Sequence, residues 1–187
     1  MTGRSGFFIF PPNLREFRDI DDRNVNRYPL KQESVFADMN IIIGSDHAGF
    51  GLKEICRDFL GKRKEYIVTD AGVFSRESSD YPLIAHKVAR AVASGQYDRG
   101  ILICGSGIGM SIAANRHKDV RAALCCDPYS ARVSRLHNDA NILAMGERVL
   151  GAGLALEILS TFLATEFEGG RHKARIDQID SSCGENL

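Results

Sequence analysis

The chain has 187 residues and a mass of 20.6 kDa, enough for one domain with at most a small appendage. Its 44% hydrophobic and 26% charged residues exclude collagen-like, fully disordered and disulfide-scaffold proteins. The 24 basic residues balance the 24 acidic ones, so we expect no nucleic-acid partner. No apolar run approaches the roughly 18 residues of a membrane helix, and we expect no membrane partner.

The five cysteines are odd in number, and no pair has the C-x-x-C spacing of a zinc or redox site. The N-terminus has no secretory apolar region. We therefore predict five thiols in a reducing compartment, no metal, and a cytoplasmic protein.

The first 38 residues differ in composition from the rest of the chain. They contain five of the ten Phe and three of the five Pro, without any hydrophobic period. We predict an N-terminal extension over residues 1–38, largely disordered, followed by a single α/β domain over residues 39–187. The alternative is a docking arm anchored by Phe7, Phe8 and Phe10.

From Met39 onward, short apolar strands alternate with amphipathic helices. Strands are predicted around Ile41–Ile43, Tyr66–Val68, Ile101–Cys104, Ala122–Cys126 and Ile142–Met145. Helices are predicted around Leu52–Leu60, Ile84–Val92, Met110–Asn115 and Ala155–Leu163, from Pro128, and in a short last segment from Arg171. This pattern indicates a parallel sheet covered on both faces.

Ligands of such sheets bind beyond the carboxyl ends of the strands. The residues found there are Gly44–His47 after strand one, Cys104–Gly109 after strand three and Gly146–Arg148 after strand five. We expect the functional site at this edge.

The segment after strand three has a glycine-rich turn at Gly105, Gly107 and Gly109. Its amides could converge on an anion, although the G-x-G-x-G spacing is not the dinucleotide fingerprint and a tight connection is the alternative. Cys104 could be a small core residue, but the helix start beyond it favours a thiolate. Such a thiolate could act as a nucleophile or as a base, and the residues alone leave that choice open.

Histidines and arginines offer further candidates. His47 follows strand one at the same end of the sheet. His137 lies at the end of the fourth helix, where it could be either a helix cap or a catalytic residue. Arg171 and Arg175 lie one turn apart on the last helix and suit a phosphate, or form a solvated face. The preceding Gly169-Gly170 pair is predicted to be a flexible break that lets this helix reach a neighbouring subunit. His86 and His117 are expected at the surface.

Five motifs in order resemble the B-type ribose 5-phosphate isomerases, whose larger family includes galactose 6-phosphate isomerase subunits and allose 6-phosphate isomerases. They are Gly-Ser-Asp-His-Ala-Gly at 44–49, Asp-Tyr-Pro at 80–82, Ile-Leu-Ile-Cys-Gly-Ser-Gly-Ile-Gly at 101–109, Arg-Leu-His-Asn-Asp at 135–139 and Glu-Gly-Gly-Arg-His-Lys-Ala-Arg at 168–175. The resemblance runs from Met39 to about Asp180.

The resemblance implies a Rossmann-like three-layer αβα sandwich around a five-stranded parallel sheet. It implies a homodimer or dimer of dimers, with the active site between two subunits and no cofactor. The substrate would be a small phosphorylated sugar, ribose 5-phosphate of the pentose phosphate pathway, converted to ribulose 5-phosphate through an enediolate.

The resemblance also implies residue roles. Cys104 matches the base that moves a proton between C1 and C2. Ser106 matches the hydroxyl group that moves a proton between the enediol oxygens. His137 matches the residue that opens the furanose ring. Substrate binding falls to Asp46, His47, Tyr81, Gly105, Gly107, Ile108, Gly109, Asn138, Arg148, Arg171 and Arg175.

Two alternatives stay open. A six-carbon sugar phosphate, of allose or galactose, could be the substrate. A flavodoxin-like nucleotide-binding module would share the fold and make no use of Cys104.

Overall fold

The computed structural model describes residues 38–181. The predicted extension therefore lies outside the described residues, apart from Asp38, and so does Cys183. Within the described residues, no helix is both long and apolar enough to cross a membrane.

Strands and helices alternate along the chain as the hydrophobic pattern predicts. The strands are β1 Met39–Ser45, β2 Tyr66–Asp70, β3 Arg99–Cys104, β4 Ala122–Leu124 and β5 Ile142–Gly146. The helices are α1 Phe50–Gly61, α2 Tyr81–Ala93, α3 Ile108–Ala114, α4 Pro128–Asn138, α5 Ala152–Ala164 and α6 Arg171–Ser181. A short 3₁₀ turn, His47–Gly49, joins β1 to α1.

The five strands form one parallel sheet in the order β2-β1-β3-β5-β4. The chain first winds outward from β1 to β2 and then returns to place β3 on the other side of β1. Strand order therefore reverses between β1 and β3, and loops leave the carboxyl ends of these two strands in opposite directions. This confirms the predicted α/β fold, and the crevice at the reversal is where sheets of this type bind their ligands.

The strand side chains alternate between two apolar layers, as the two-residue period of a strand requires. Ile43 and Ile103 pack in the layer that contains Phe162 of α5, whereas Ile42 and Leu102 pack in the opposite layer with α2. Because both faces of the sheet are covered, the strands are apolar at nearly every position.

The fourth strand is shorter than predicted. It ends at Leu124, and the next residues lead directly to Asp127, whose Oδ1 accepts a hydrogen bond from the Ser130 amide at 2.7 Å and caps α4. Of the two adjacent cysteines, Cys125 is buried and Cys126 is exposed.

Candidate active site

Cys104 is the last residue of β3 and lies at the switch point with only 5% of its surface exposed. Its Sγ accepts a hydrogen bond from the Gly107 amide at 3.0 Å. That bond directs a backbone dipole at the sulfur and stabilises negative charge there. By contrast, burial raises the pKa of the Cys56 thiol to about 12 and that of Cys125 to about 11. Both cysteines are core residues, and at Cys125 a hydrogen bond from Ser134 offsets only part of the effect of burial.

The turn that positions this amide depends on glycine at residue 107. Gly107 has a φ of 79°, and a Cβ there would lie 2.5 Å from Leu124 Cδ1 and 2.9 Å from the Met145 carbonyl carbon. The left-handed backbone and the close packing both exclude a side chain.

We expect Gly107→Ala to destabilise the protein more than Gly95→Ala, a matched control. Gly95 has nearly the same φ, 75°, but a Cβ there would meet nothing within 4 Å. Left-handed strain alone costs about 1–2 kcal/mol, and overpacking adds roughly 1–3 kcal/mol at Gly107. Denaturant unfolding of both variants measures the difference; equal losses would contradict the packing argument.

Asp46 and His47 follow β1 at the same edge. Asp46 Oδ1 accepts hydrogen bonds from the amides of Ala48 and Gly49, both at 3.0 Å, and so caps the 3₁₀ turn. The Nδ1 atom of His47 lies 3.2 Å from the Ser79 amide and 3.3 Å from the Ser79 carbonyl oxygen. Nδ1 accepts from the amide when the neutral ring carries its proton on Nε2, and it donates to the carbonyl when Nδ1 itself is protonated. The backbone of Ser79 therefore holds the imidazole in one orientation in both charge states.

The loop that carries Ser79 is itself fixed by a buried lysine. Lys53 Nζ lies 2.6 Å from Asp70 Oδ2 and donates to the Val73 carbonyl at 2.8 Å. Because a buried ammonium ion must be paired, this contact ties α1 to the end of β2 and the start of the loop. Neither Ser79 nor Lys53 was identified from the sequence.

A cleft of about 390 Å³ gathers the candidates at the carboxyl edge: Asp46, His47, Tyr81, Cys104, Gly105, Ser106, Gly109 and Arg148. Tyr81 begins α2, and a Cβ on Gly109 would lie 2.6 Å from its ring, so this glycine leaves room for the ring. The Arg148 amide donates to the Gly105 carbonyl at 3.0 Å, which places the arginine beside the glycine turn.

The predicted cluster of amides is partly occupied by the turn's own side chains. The Gly107 amide donates to Cys104, and the Ile108 amide approaches Ser106 Oγ at 3.4 Å. The turn therefore stabilises the sulfur as well as offering amides to a ligand. Ser106 and Ile108 are both exposed beside the cleft.

His137 and Asn138 lie at the amino end of the parallel strands, opposite to the carboxyl end where Cys104 lies. α4 starts after the carboxyl end of β4 and runs back for 11 residues, about 16 Å. At its end, the carbonyl of Asn138 accepts from Arg121 Nε at 2.9 Å, and Arg121 directly precedes β4. Within one chain, His137 is therefore far from Cys104.

The last helix packs against α4 of its own chain, and its reach to a neighbouring subunit stays a prediction. Gly169 and Gly170 have φ values of 72° and 57° and form the turn that begins α6. The Glu168 amide just before them donates to the Leu136 carbonyl at 3.1 Å, and His172 of α6 is buried.

A second cleft, of about 270 Å³, lies beside α6 and is lined by His137, Asn138, His172, Arg175, Ile176 and Ile179. Arg171 is exposed next to it, and its Nε lies 3.4 Å from His172 Nε2. The structure thus divides the predicted site residues between two clefts at opposite ends of the strands.

His86 and His117 were expected at the surface, but both are half-buried. The distance between Nδ1 of His86 and Nε2 of His117 is 2.8 Å.

Comparisons with known proteins show similarity in sequence and in fold. Residues 41–179 match the family described as "Ribose/Galactose Isomerase". The chain is 50% identical over 140 residues to "Ribose-5-phosphate isomerase B" of Escherichia coli, covering 74% of this chain and 93% of the relative. It is 42% identical over 142 residues to "D-erythrulose-4-phosphate isomerase" of Pectobacterium atrosepticum, covering 75% and 93%. The solved structure of Clostridium thermocellum ribose-5-phosphate isomerase B superposes with a TM-score of 0.75 at 56% identity, covering 77% of this chain and 97% of that one.

Proposed function

Because the chain belongs to the ribose/galactose isomerase family, we propose that this aldose–ketose isomerase interconverts ribose 5-phosphate and ribulose 5-phosphate. The observation that carries the proposal is the Cys104 sulfur, which the Gly107 amide contacts at 3.0 Å in a cleft shared with His47 and Arg148. The geometry therefore supports a base beside two phosphate-binding side chains. A reducing cytoplasm would keep this thiol available.

The chemistry needs one base acting between two carbons. The Cys104 thiolate takes the proton from C2 of the open-chain aldose, and the bonding electrons form the C1–C2 double bond of an enediolate. The resulting thiol returns the proton to C1, and the carbonyl group then lies at C2. Ser106 moves a proton from O2 to O1, so atoms and charge balance without a further reactant.

The glycine turn stabilises the negative charge of the intermediate. The Gly107 amide contacts the thiolate, and neighbouring amides of the Gly105–Gly109 turn face the enediolate oxygens. Loss of one such donor typically lowers the rate about 10²–10³-fold.

Ribose 5-phosphate exists mainly as a furanose ring, which must open before C2 can lose its proton. We assign ring opening to His137 of a second copy, because His137 and Cys104 lie at opposite edges of one chain. In a symmetric dimer the cleft at Cys104 of each chain meets the cleft at His137 of the other, which forms two equivalent sites. Asp46, Tyr81 and Asn138 contact the sugar hydroxyls.

The phosphate is bound by side chains of both clefts: His47 and Arg148 from one chain, Arg171 and Arg175 from the other. Arg175 lies beside His137, so a phosphate held there also holds the sugar near the ring-opening imidazole.

Arg175→Ala is expected to raise KM more than it lowers kcat, because phosphate is bound in both the ground and transition states. A charge-assisted hydrogen bond is worth about 1.5–3 kcal/mol, which corresponds to a loss of roughly ten- to a hundredfold in kcat/KM. Steady-state kinetics measure this, with Lys173→Ala as the control for removing a neighbouring exposed charge of α6. A fall in kcat at unchanged KM would contradict the assignment.

The choice of substrate is tested by turnover. Purified protein is assayed with ribose 5-phosphate, allose 6-phosphate, galactose 6-phosphate and erythrose 4-phosphate, the last because one relative is named for a four-carbon sugar. We expect the highest kcat/KM with ribose 5-phosphate. A higher kcat/KM with one of the other sugar phosphates would identify that compound as the substrate instead of ribose 5-phosphate.

A further inference from the structure

The imidazole of His137 lies against two side chains that have no role so far. Its ring stacks face to face on that of His172, with centroids 4.3 Å apart and planes 7° apart. Its Nε2 lies 3.9 Å from Glu168 Oε2. We infer that His172 and Glu168 are positioning residues, which hold His137 in the orientation that opens the sugar ring. This inference rests on the proposed role of His137.

His137 needs such a support because of its location. It lies in the last turn of α4 with 41% of its side chain exposed. An exposed imidazole at a helix end has several rotamers, and misplacing a reacting group by 1 Å can cost about 10²-fold in rate. A flat, buried partner selects one ring orientation.

His172 is well suited as this partner because its own position is fixed. It is buried in the first turn of α6, and Ile176, one turn later, is buried with it. The Nε of Arg171 donates towards His172 Nε2 at 3.4 Å. Burial lowers the pKa of the His172 imidazole, and the nearby His137 lowers it further. Both effects favour the uncharged form of His172.

Glu168 adds the charge that orients the ring. Its backbone is tied to α4 by the 3.1 Å bond from its amide to the Leu136 carbonyl. Its carboxylate lies 3.8 Å from His172 Nε2 and 3.9 Å from His137 Nε2. At these distances the carboxylate acts through its charge rather than through a hydrogen bond, and it favours the orientation in which Nε2 of His137 faces it. Nδ1 is then left to exchange a proton with the sugar, as in other carboxylate–imidazole pairs.

A metal site is the other role that this cluster could have. The three side chains offer ligand atoms within 4.8 Å of one another. However, parallel stacked rings cannot both direct their in-plane lone pairs at one ion, and Arg171 and Arg175 on the same helix repel a cation. The positioning role agrees with both observations.

The test isolates ring opening from proton transfer. In the Cys104→Ser protein the base is missing, so ring opening and closure of ribose 5-phosphate are the only reactions left. Their rate is measured by NMR magnetisation transfer between the two furanose anomers. We expect Cys104→Ser to accelerate this exchange over buffer, and added His137→Asn to abolish the acceleration. If the Cys104→Ser protein does not accelerate the exchange, or if added His137→Asn leaves the acceleration intact, the proposed role of His137 is wrong. The inference about its positioning residues is then wrong as well.

Three further variants are made in the Cys104→Ser protein to test the support itself. His172→Leu, which removes the flat ring, is expected to reduce the acceleration by about ten- to a hundredfold. His172→Phe, which keeps a flat ring, is expected to restore most of it, and Glu168→Gln is expected to lower it as well. The dissociation constant of ribose 5-phosphate should stay within about twofold throughout, because the phosphate-binding arginines remain.

Ile176→Ala is the control for lost packing, since it loosens the same buried face of α6 one turn later and leaves both imidazole rings in the chain. If it slows exchange as much as His172→Leu does, or if His172→Leu has no effect, the inference is overturned. Rates that depend on added Zn²⁺ and fall with a chelator would instead assign a metal site.

Discussion

Cys104→Ser is expected to lower kcat by about 10²–10⁴-fold, the usual contribution of a general base. The substitution is nearly isosteric at a side chain that is 5% exposed, so the core should pack as before. A hydroxyl at this position can still accept the hydrogen bond of the Gly107 amide. However, it does not ionise at neutral pH, and the step that removes the C2 proton loses its base. Turnover of ribose 5-phosphate and thermal unfolding measure the two effects.

Two serine substitutions elsewhere serve as controls. Cys126→Ser replaces an exposed thiol and should leave both kcat and stability unchanged. Cys56→Ser places a hydroxyl at a fully buried site, so it should destabilise the fold without a specific effect on kcat. If Cys104→Ser retains most of the wild-type kcat, the base is another residue of the cleft, and Asp46 would be the first to examine.

The strands and most helix positions could be predicted because they follow from local apolar periods. Ile42 and Ile43 are adjacent apolar residues, as expected of a parallel strand that is buried on both faces. Cys104 lies at the carboxyl end of a strand, which is where α/β sheets bind their ligands. The length of β4 was predicted wrongly, because its apolar run continues to Cys126 while the Asp127 cap ends the strand earlier.

The supports of the site depend on contacts between distant segments, which a local pattern does not reveal. Ser79 lies 32 residues from His47, yet it holds that imidazole. The stack of His172 on His137 joins two helices, although the i,i+4 spacing of Glu168 and His172 offered a weak signal. The Gly169–Gly170 pair is ambiguous for a related reason: two adjacent glycines suit a flexible hinge as well as the left-handed turn that the structure has there.

The division of the site between two edges leads to the second large effect, which is a gain of activity. Cys104→Ser and His137→Asn should each be nearly inactive as homodimers, because every site carries the defect. The two variants are coexpressed with different affinity tags, and tandem purification isolates the mixed dimer. One of its sites has both defects, and the other has the intact Cys104 of one chain and the intact His137 of its partner. We therefore expect about half of the wild-type activity from a preparation in which both parents are nearly inactive.

The matched control combines Cys104→Ser with Arg148→Ala. Both substitutions lie in the cleft at the carboxyl edge, so each mixed dimer has one defect in each of its two sites. Its activity should not exceed the mean of its two parents, whereas the pair that includes His137→Asn should far exceed both of its parents. A mixed dimer of Cys104→Ser and His137→Asn that stays inactive would mean that Cys104 and His137 do not meet across an interface. Because α4 separates them by its own length within one chain, His137 would then have to be removed from the reaction altogether.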